Sequence, residues 1–199
     1  MRRQLVGVVA VLAFASGCGG GDSSAEDQPD PLETSEASAG STLPEGVPTT
    51  PPPEPPDRPA NTTESALEFA EFFVRTYQYT YAVRDAQPLM DLVPDEQEMD
   101  SAQCQGCPDT KKNIKALQRE RRYLVRGRPT FSETLQTGQR GRQRIVSMRY
   151  NTPAGSYVYD GGSTKPAPAL EQVHVETLLY WQGDHWVVFD YGFPKSAGE

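Results

Sequence analysis

Histidine occurs twice in these 199 residues and cysteine three times, and that scarcity excludes more than any other feature of the chain. A zinc site built on Cys104 and Cys107 would have to draw its two further ligands from His174 and His185, the entire histidine complement. No metal and no cofactor is assigned. A Gly-rich phosphate loop, a G-x-S-x-G elbow and an H-E-x-x-H pair are all missing, so phosphoryl transfer, serine hydrolysis and zinc peptidase chemistry have no motif to act through. Long apolar runs are missing too. The longest, residues 5–15, falls short of the roughly 20 residues that span a hydrocarbon core, which excludes it as a permanent transmembrane helix.

That short run is informative for what flanks it. Arg2 and Arg3 form a positive n-region before it, and Ala15, Ser16 and Gly17 place small residues directly ahead of Cys18. The arrangement reads as a secretory signal peptide. It resembles a bacterial lipoprotein signal, whose lipobox ends in small residues followed by cysteine, with Ala15 where the usual pattern has Leu. The resemblance implies that residues 1–17 are removed, that Cys18 is lipidated as the mature N-terminus, and that the protein is extracytoplasmic, held at the cell membrane by lipid.

Net charge is −8 at pH 7, but it is segregated. Residues 19–60 hold nine acids and one base, Arg58, whereas residues 111–149 hold twelve bases and two acids, Glu120 and Glu133. Outside the cytoplasm nucleic acid is not a partner, so the basic block points to anionic lipid, an anionic envelope polymer, an envelope protein or the chain's own acidic segment; exposed charge without any partner is the plainer reading.

Residues 18–60 show no apolar periodicity, are rich in Pro, Ser, Thr, Gly and acids, and include Pro51, Pro52, Pro53, Pro55 and Pro56. Such a segment buries too little apolar surface to offset its ordering entropy, and reads as a disordered tether. A helix is expected from Asn61, with Asn61 and Glu64, or Ser65 and Glu68, as a capping box. Ala66, Phe69, Ala70, Phe73, Tyr77 and Tyr81 recur on it at helical spacing. Residues 85–93 read as a short second helix with Pro88 in its first turn. A third is expected after Cys107, capped by Asp109 or Thr110 and running through Ile114, Leu117 and Leu124 to Gly127. Lys111, Lys115, Arg119, Arg122 and Arg126 then fall on one cationic face.

Beyond Gly127 the period becomes two. Residues 131–136, 143–150, 156–159, 172–181 and 185–191 read as antiparallel strands separated by turn residues, with Gln182, Gly183 and Asp184 joining the last two in a hairpin. Helices followed by antiparallel strands make an α+β domain over residues 61–195, in which the sheet curls around the first helix. The order resembles the NTF2-like cone, the fold of ketosteroid isomerase and scytalone dehydratase relatives. Together with the lipobox, the Pro-rich tether, the C-x-x-C and the closing Trp-x-Val strand, it is similar to a group of actinobacterial lipoproteins. That likeness implies no activity.

With Cys18 taken by lipid, Cys104 and Cys107 remain as a pair in an oxidising compartment, and a structural disulfide is the main reading. A redox pair at a helix start and a metal site are the alternatives, and the strand and βαβ frame of thioredoxin-like enzymes are absent. Acid–base catalysis in a cone needs a carboxylate or histidine aimed into an apolar cavity; Asp85, Asp190, His174, Tyr77 and Tyr81 are the candidates on core elements, and no motif selects any of them. No catalytic residue is assigned. Tyr77, Tyr81 and Trp181 are assigned a ligand-facing role. The expectation is a non-catalytic, lipid-anchored binding or interaction module of the cell envelope. A cone-pocket enzyme acting on a small apolar substrate and an envelope thiol–disulfide protein are the alternatives.

Overall fold

A computed structural model of the chain describes residues 43–57, 59–94 and 104–194. Cys18, the signal sequence and the first part of the acidic stretch lie outside the described residues. Three helices come first, α1 (Thr63–Val83), α2 (Gln87–Met90) and α3 (Gly106–Arg119). Strands follow: β1 (Arg122–Val125), β2 (Thr130–Arg140), β3 (Gln143–Thr152), β4 (Gly155–Tyr159), β5 (Thr164–Ala167), β6 (Leu170–Trp181) and β7 (Trp186–Gly192). The α+β order is as expected. A single sheet curled around α1 is not what forms: the strands divide into a four-stranded antiparallel sheet, β2-β3-β6-β7, and a three-stranded one, β1-β4-β5.

Thr62 caps α1, its hydroxyl accepting from the Ser65 amide at 3.3 Å, in place of either expected capping box. Ala66, Phe69, Ala70 and Phe73 are buried at the expected spacing, and Val74, Thr76 and Thr80 are buried as well. The helix is covered this widely because it meets both sheets. It ends at Arg84, which takes the left-handed conformation (φ 58°) usually left to glycine. Side-chain contacts offset that cost: the Arg84 guanidinium stacks 3.7 Å over the Tyr123 ring, donates to the Tyr123 hydroxyl at 2.6 Å and pairs with Asp160 at 2.9 Å. These contacts tie the end of α1 to β1.

The start of α1 is fixed by buried donors. Trp186 Nε1 donates to Ala60 O at 3.0 Å and Ser65 Oγ at 3.2 Å. Arg144, 5 % exposed, donates to Gly141 O, Gln143 O and Asn61 Oδ1 and lies 5.7 Å from the Trp186 ring.

Two helical expectations need correction. The second helix is a single turn, Gln87–Met90 rather than 85–93, started by Asp85 Oδ1 accepting from the Gln87 amide at 2.9 Å. The third begins earlier and ends sooner than expected. Asp190 on β7 accepts from the Gln105 and Gly106 amides at 2.8 and 3.3 Å, supplying a cap from 84 residues away. Arg121 then turns through φ 53°, and residues 122–125 become β1, paired with β4. The expected five-residue cationic stripe therefore does not exist as one helix face.

On the inner face of the larger sheet, Val146, Met148 and Tyr150 of β3 and Val175, Leu179 and Trp181 of β6 alternate inward and close on Phe69, Phe73 and Leu89. Each such large apolar side chain contributes about 1.5–3 kcal/mol by leaving water. The expected hairpin is present: Trp181 faces Trp186 in register, and the Gln182 amide donates to His185 O at 2.9 Å. Cys104 and Cys107 form a disulfide, packed in the same core.

The domain's packing begins before the expected boundary at Asn61. Val47, 6 % exposed, packs with Tyr123 and Val158 in a second small core. Thr50 O accepts from the Tyr79 hydroxyl at 3.0 Å, and Ala60 is held by Trp186. Residues 47–57 and 59–60 thus form a strap pinned at both ends, with one exposed hydrogen bond between the pins among the described residues.

Candidate functional site

Between the strap and α1 lies a cleft of about 980 Å³. Helical spacing puts Tyr77 and Tyr81 one turn apart on its α1 side, their rings 5.0 Å apart and their hydroxyls sharing a 3.0 Å hydrogen bond. Tyr81 also accepts from Asn113 Nδ2 of α3 at 3.3 Å. Tyr150 reaches the same cleft from β3, while Pro48, Pro51 and Pro53 of the strap form the opposing wall. Three guanidinium groups line it as well, from Arg75, Arg126 and Arg128, against a single carboxylate, Glu54. Arg75 is engaged with Glu71 at 3.7 Å and the Phe131 ring at 5.8 Å. Arg126 donates to Pro168 O.

Tyr77 and Tyr150 are held neutral. Burial, followed by the neighbouring Tyr81, Tyr191 and Tyr150 hydroxyls, pushes Tyr77 far above the ordinary tyrosine range. Burial also pushes Tyr150 up to about 12, with Tyr81 adding to the rise and the Arg126 charge opposing it. Groups like these donate and accept hydrogen bonds at neutral pH; they do not serve as bases.

A smaller cleft, about 560 Å³, shares Tyr77 and lies against the start of α3, lined by Gly106, Asp109, Thr110 and Tyr191. Its hydroxyls are matched to each other and to the backbone: Tyr191 donates to Gly106 O at 2.9 Å while Thr110 Oγ1 lies 2.5 Å from the Tyr191 hydroxyl. A Cβ on Gly106 would come within 2.5 Å of Tyr191 O, so only glycine permits this approach.

Of the residues assigned from sequence, Tyr77 and Tyr81 come together at the larger cleft. Trp181 does not join them; it packs edge-on against Trp186, ring centres 5.1 Å apart, because its inward position on β6 turns it into the core. Lys111, Lys115 and Arg119 are exposed on α3 together with Lys112. Arg122 leaves that group to pair with Glu120 at 2.6 Å and lie over the Tyr157 ring, and Arg126 enters the cleft. Among the acid–base candidates, Asp85 and Asp190 are taken by helix starts, and His174 hydrogen-bonds Ser147 at 2.9 Å on β3. Among the described residues no three His, Cys, Asp or Glu side chains cluster as a metal site. Sequence reasoning missed Tyr150, Arg75, Arg128 and the strap; Tyr150 alone carried a signal, as an inward position in the alternation of β3.

No family model matches the chain, and no curated protein matches it. Solved structures with a related course include one described as the beta subunit of an aromatic-ring-hydroxylating dioxygenase from Novosphingobium aromaticivorans, at 13 % identity and TM-score 0.42, covering 65 % of this chain and 88 % of that one. The intermembrane space region of chloroplast protein ARC6 matches at 10 % identity and TM-score 0.37, over 64 % and 95 % of the two chains. Likenesses this distant assign no activity, and the α+β class rests on the elements described above.

Proposed function

We propose that this protein is a non-catalytic binding module of the cell envelope, held at the membrane by lipid on Cys18, with the tyrosine–arginine cleft as its site. One observation carries the reading: a cleft large enough for a small molecule is lined by tyrosines and arginines, while Asp85, Asp190 and His174 are engaged elsewhere and the one carboxylate of the lining, Glu54, is exposed on the strap. The fold is read as NTF2-like, supported by helices preceding antiparallel strands and by α1 lying on the inner face of the larger sheet. A cone-pocket enzyme is disfavoured by the engagement of Asp85, Asp190 and His174 away from the cleft. A thiol–disulfide role is disfavoured by burial of Cys104 and Cys107, 7 % and 6 % exposed. Anchoring rests on the residues around Cys18; among the described residues no helix is long and apolar enough to cross a membrane. Lys111, Lys112, Lys115 and Arg119 form an exposed cationic face suited to an anionic envelope polymer or lipid surface.

The test is to incubate the purified Cys18→Ser chain with an envelope extract, isolate it, and identify molecules released on denaturation. A stoichiometric molecule retained by the parent and lost from Tyr81→Ala supports the reading. Chemical conversion of that molecule by the protein, or retention equal in both, would remove it.

A further inference from the structure

Resting on the reading of the larger cleft as a binding site, we infer that its ligand is a small amphipathic anion, an apolar or aromatic body ending in a carboxylate or phosphate. The charge on the lining is the first ground. Arg75, Arg126 and Arg128 face a single acid, Glu54, which is itself exposed on the strap. Arg128 makes no ion pair among the described residues, and the one hydrogen bond from Arg126 to Pro168 O leaves most of its five N–H donors unspent.

Tyr150 supplies an independent ground. The residue is only 3 % exposed, it lines the cleft, and its hydroxyl has no hydrogen-bond partner among the described residues. Among the described residues the buried side-chain polar atoms left unmatched are Arg122 Nε and Arg144 Nε, so the Tyr150 hydroxyl is open to the cleft, a free O–H donor for an acceptor oxygen bound there. Arg126 lines the same cleft. A neutral O–H donor and guanidinium groups lining one cleft suit an oxyanion, with charge-assisted hydrogen bonds stronger than neutral ones. The rest of the lining is apolar in body: the rings of Tyr77 and Tyr81 on one side and the prolines of the strap on the other. Inorganic phosphate alone would leave that surface unused, and a neutral hydrocarbon would leave the Tyr150 hydroxyl and the guanidinium groups unmatched.

Isothermal titration of the Cys18→Ser chain with 2-naphthoate, 2-naphthyl phosphate, 2-naphthalenemethanol and inorganic phosphate tests this. The expected order has at least one of the two aromatic anions binding about tenfold or more tighter than the neutral alcohol, and inorganic phosphate weakest; the better anion tells carboxylate from phosphate. Tyr150→Phe and Arg128→Gln should each weaken the anion severalfold and the alcohol much less. Arg128 is exposed, so its variant folds whatever the fate of others. Equal affinity for anion and alcohol overturns the inference while leaving a binding site in place, as does anion binding that neither variant alters. Failure of all four probes also overturns it, and the envelope-extract experiment then decides separately whether the cleft binds anything.

Discussion

Tyr150 sits at an inward position of β3 among Val146 and Met148, yet it carries a hydroxyl, and keeping that group un-ionised is part of what its burial does. Its phenol rises from 10.0 to about 12 in the folded chain. The folded state therefore holds this proton more tightly than the unfolded state. Its contribution to stability is fully present below pH 10 and is lost as pH rises toward 12. Tyr77 and Tyr191 shift in the same direction, so the whole protein should lose stability steeply above pH 10. Urea denaturation across pH 9 to 11.5 should show Tyr150→Phe with a shallower decline, by up to about 1.4 kcal/mol per pH unit. Parallel declines in the two proteins would mean that Tyr150 ionises equally in both states. The spacing of Tyr77 and Tyr81 was readable from sequence because helical period alone brings them together. Tyr150 was not, since nothing local shows that β3 delivers its ring to the same cleft, and Trp181 was misassigned because an aromatic on a strand looks alike whether it faces core or cavity.

The elements show where local signals stop being sufficient. The first helix and the closing hairpin were legible because their determinants lie within them: apolar spacing from Ala66 to Tyr81, and a glycine at φ 94° between Trp181 and Trp186. The third helix was misjudged at both ends for opposite reasons. Its cap, Asp190, is on β7, beyond the reach of any local pattern. Its end was masked because the cations of residues 111–126 keep a helical spacing even after the backbone has turned at Arg121. The fifth strand was hidden by Pro166, which is tolerated because β5 is an edge strand of its sheet. The disulfide lies at the start of α3 and is buried against α1 and β7, so its role is to hold that helix start in the core. Replacing Cys104 and Cys107 together by serine should lower stability by about 2 kcal/mol in the chain-entropy account, measured by denaturation, without changing retention of a cleft ligand. Rapid exchange of the native disulfide with a small dithiol would instead point to redox work.

At the scale of the whole molecule, an acidic stretch of sequence, an exposed cationic face on α3 and the larger cleft belong to one chain. The proposed anchoring is tested first: Cys18→Ser should appear in the soluble fraction or as unprocessed precursor, because stable attachment by lipid needs acyl chains. A cleaved serine variant that still sediments with membranes would show that something else holds the protein there.

Two deletions separate the parts of the acidic stretch. Residues 19–42 contain six acids and no base, while residues 47–57 and 59–60 form the strap. By composition these acids are expected to compete with an anionic surface for the α3 cations, in contacts worth about 0–1 kcal/mol each and screened beyond roughly 8 Å at physiological salt. Deleting residues 19–42 should therefore strengthen binding of the Cys18→Ser chain to phosphatidylglycerol vesicles at low salt, with the gain gone at 0.5 M salt, and leave cleft affinity unchanged. Deleting residues 19–60 also removes Val47 from its pocket against Tyr123 and Val158 and takes away the proline wall, so the same vesicle gain should come with a loss of cleft affinity. Vesicle cosedimentation and probe titration on the two deletions read the effects independently. Vesicle binding indifferent to both deletions at low salt would leave the cationic face of α3 as solvated charge, and unchanged cleft affinity in the longer deletion would mean that the strap contributes nothing to the site.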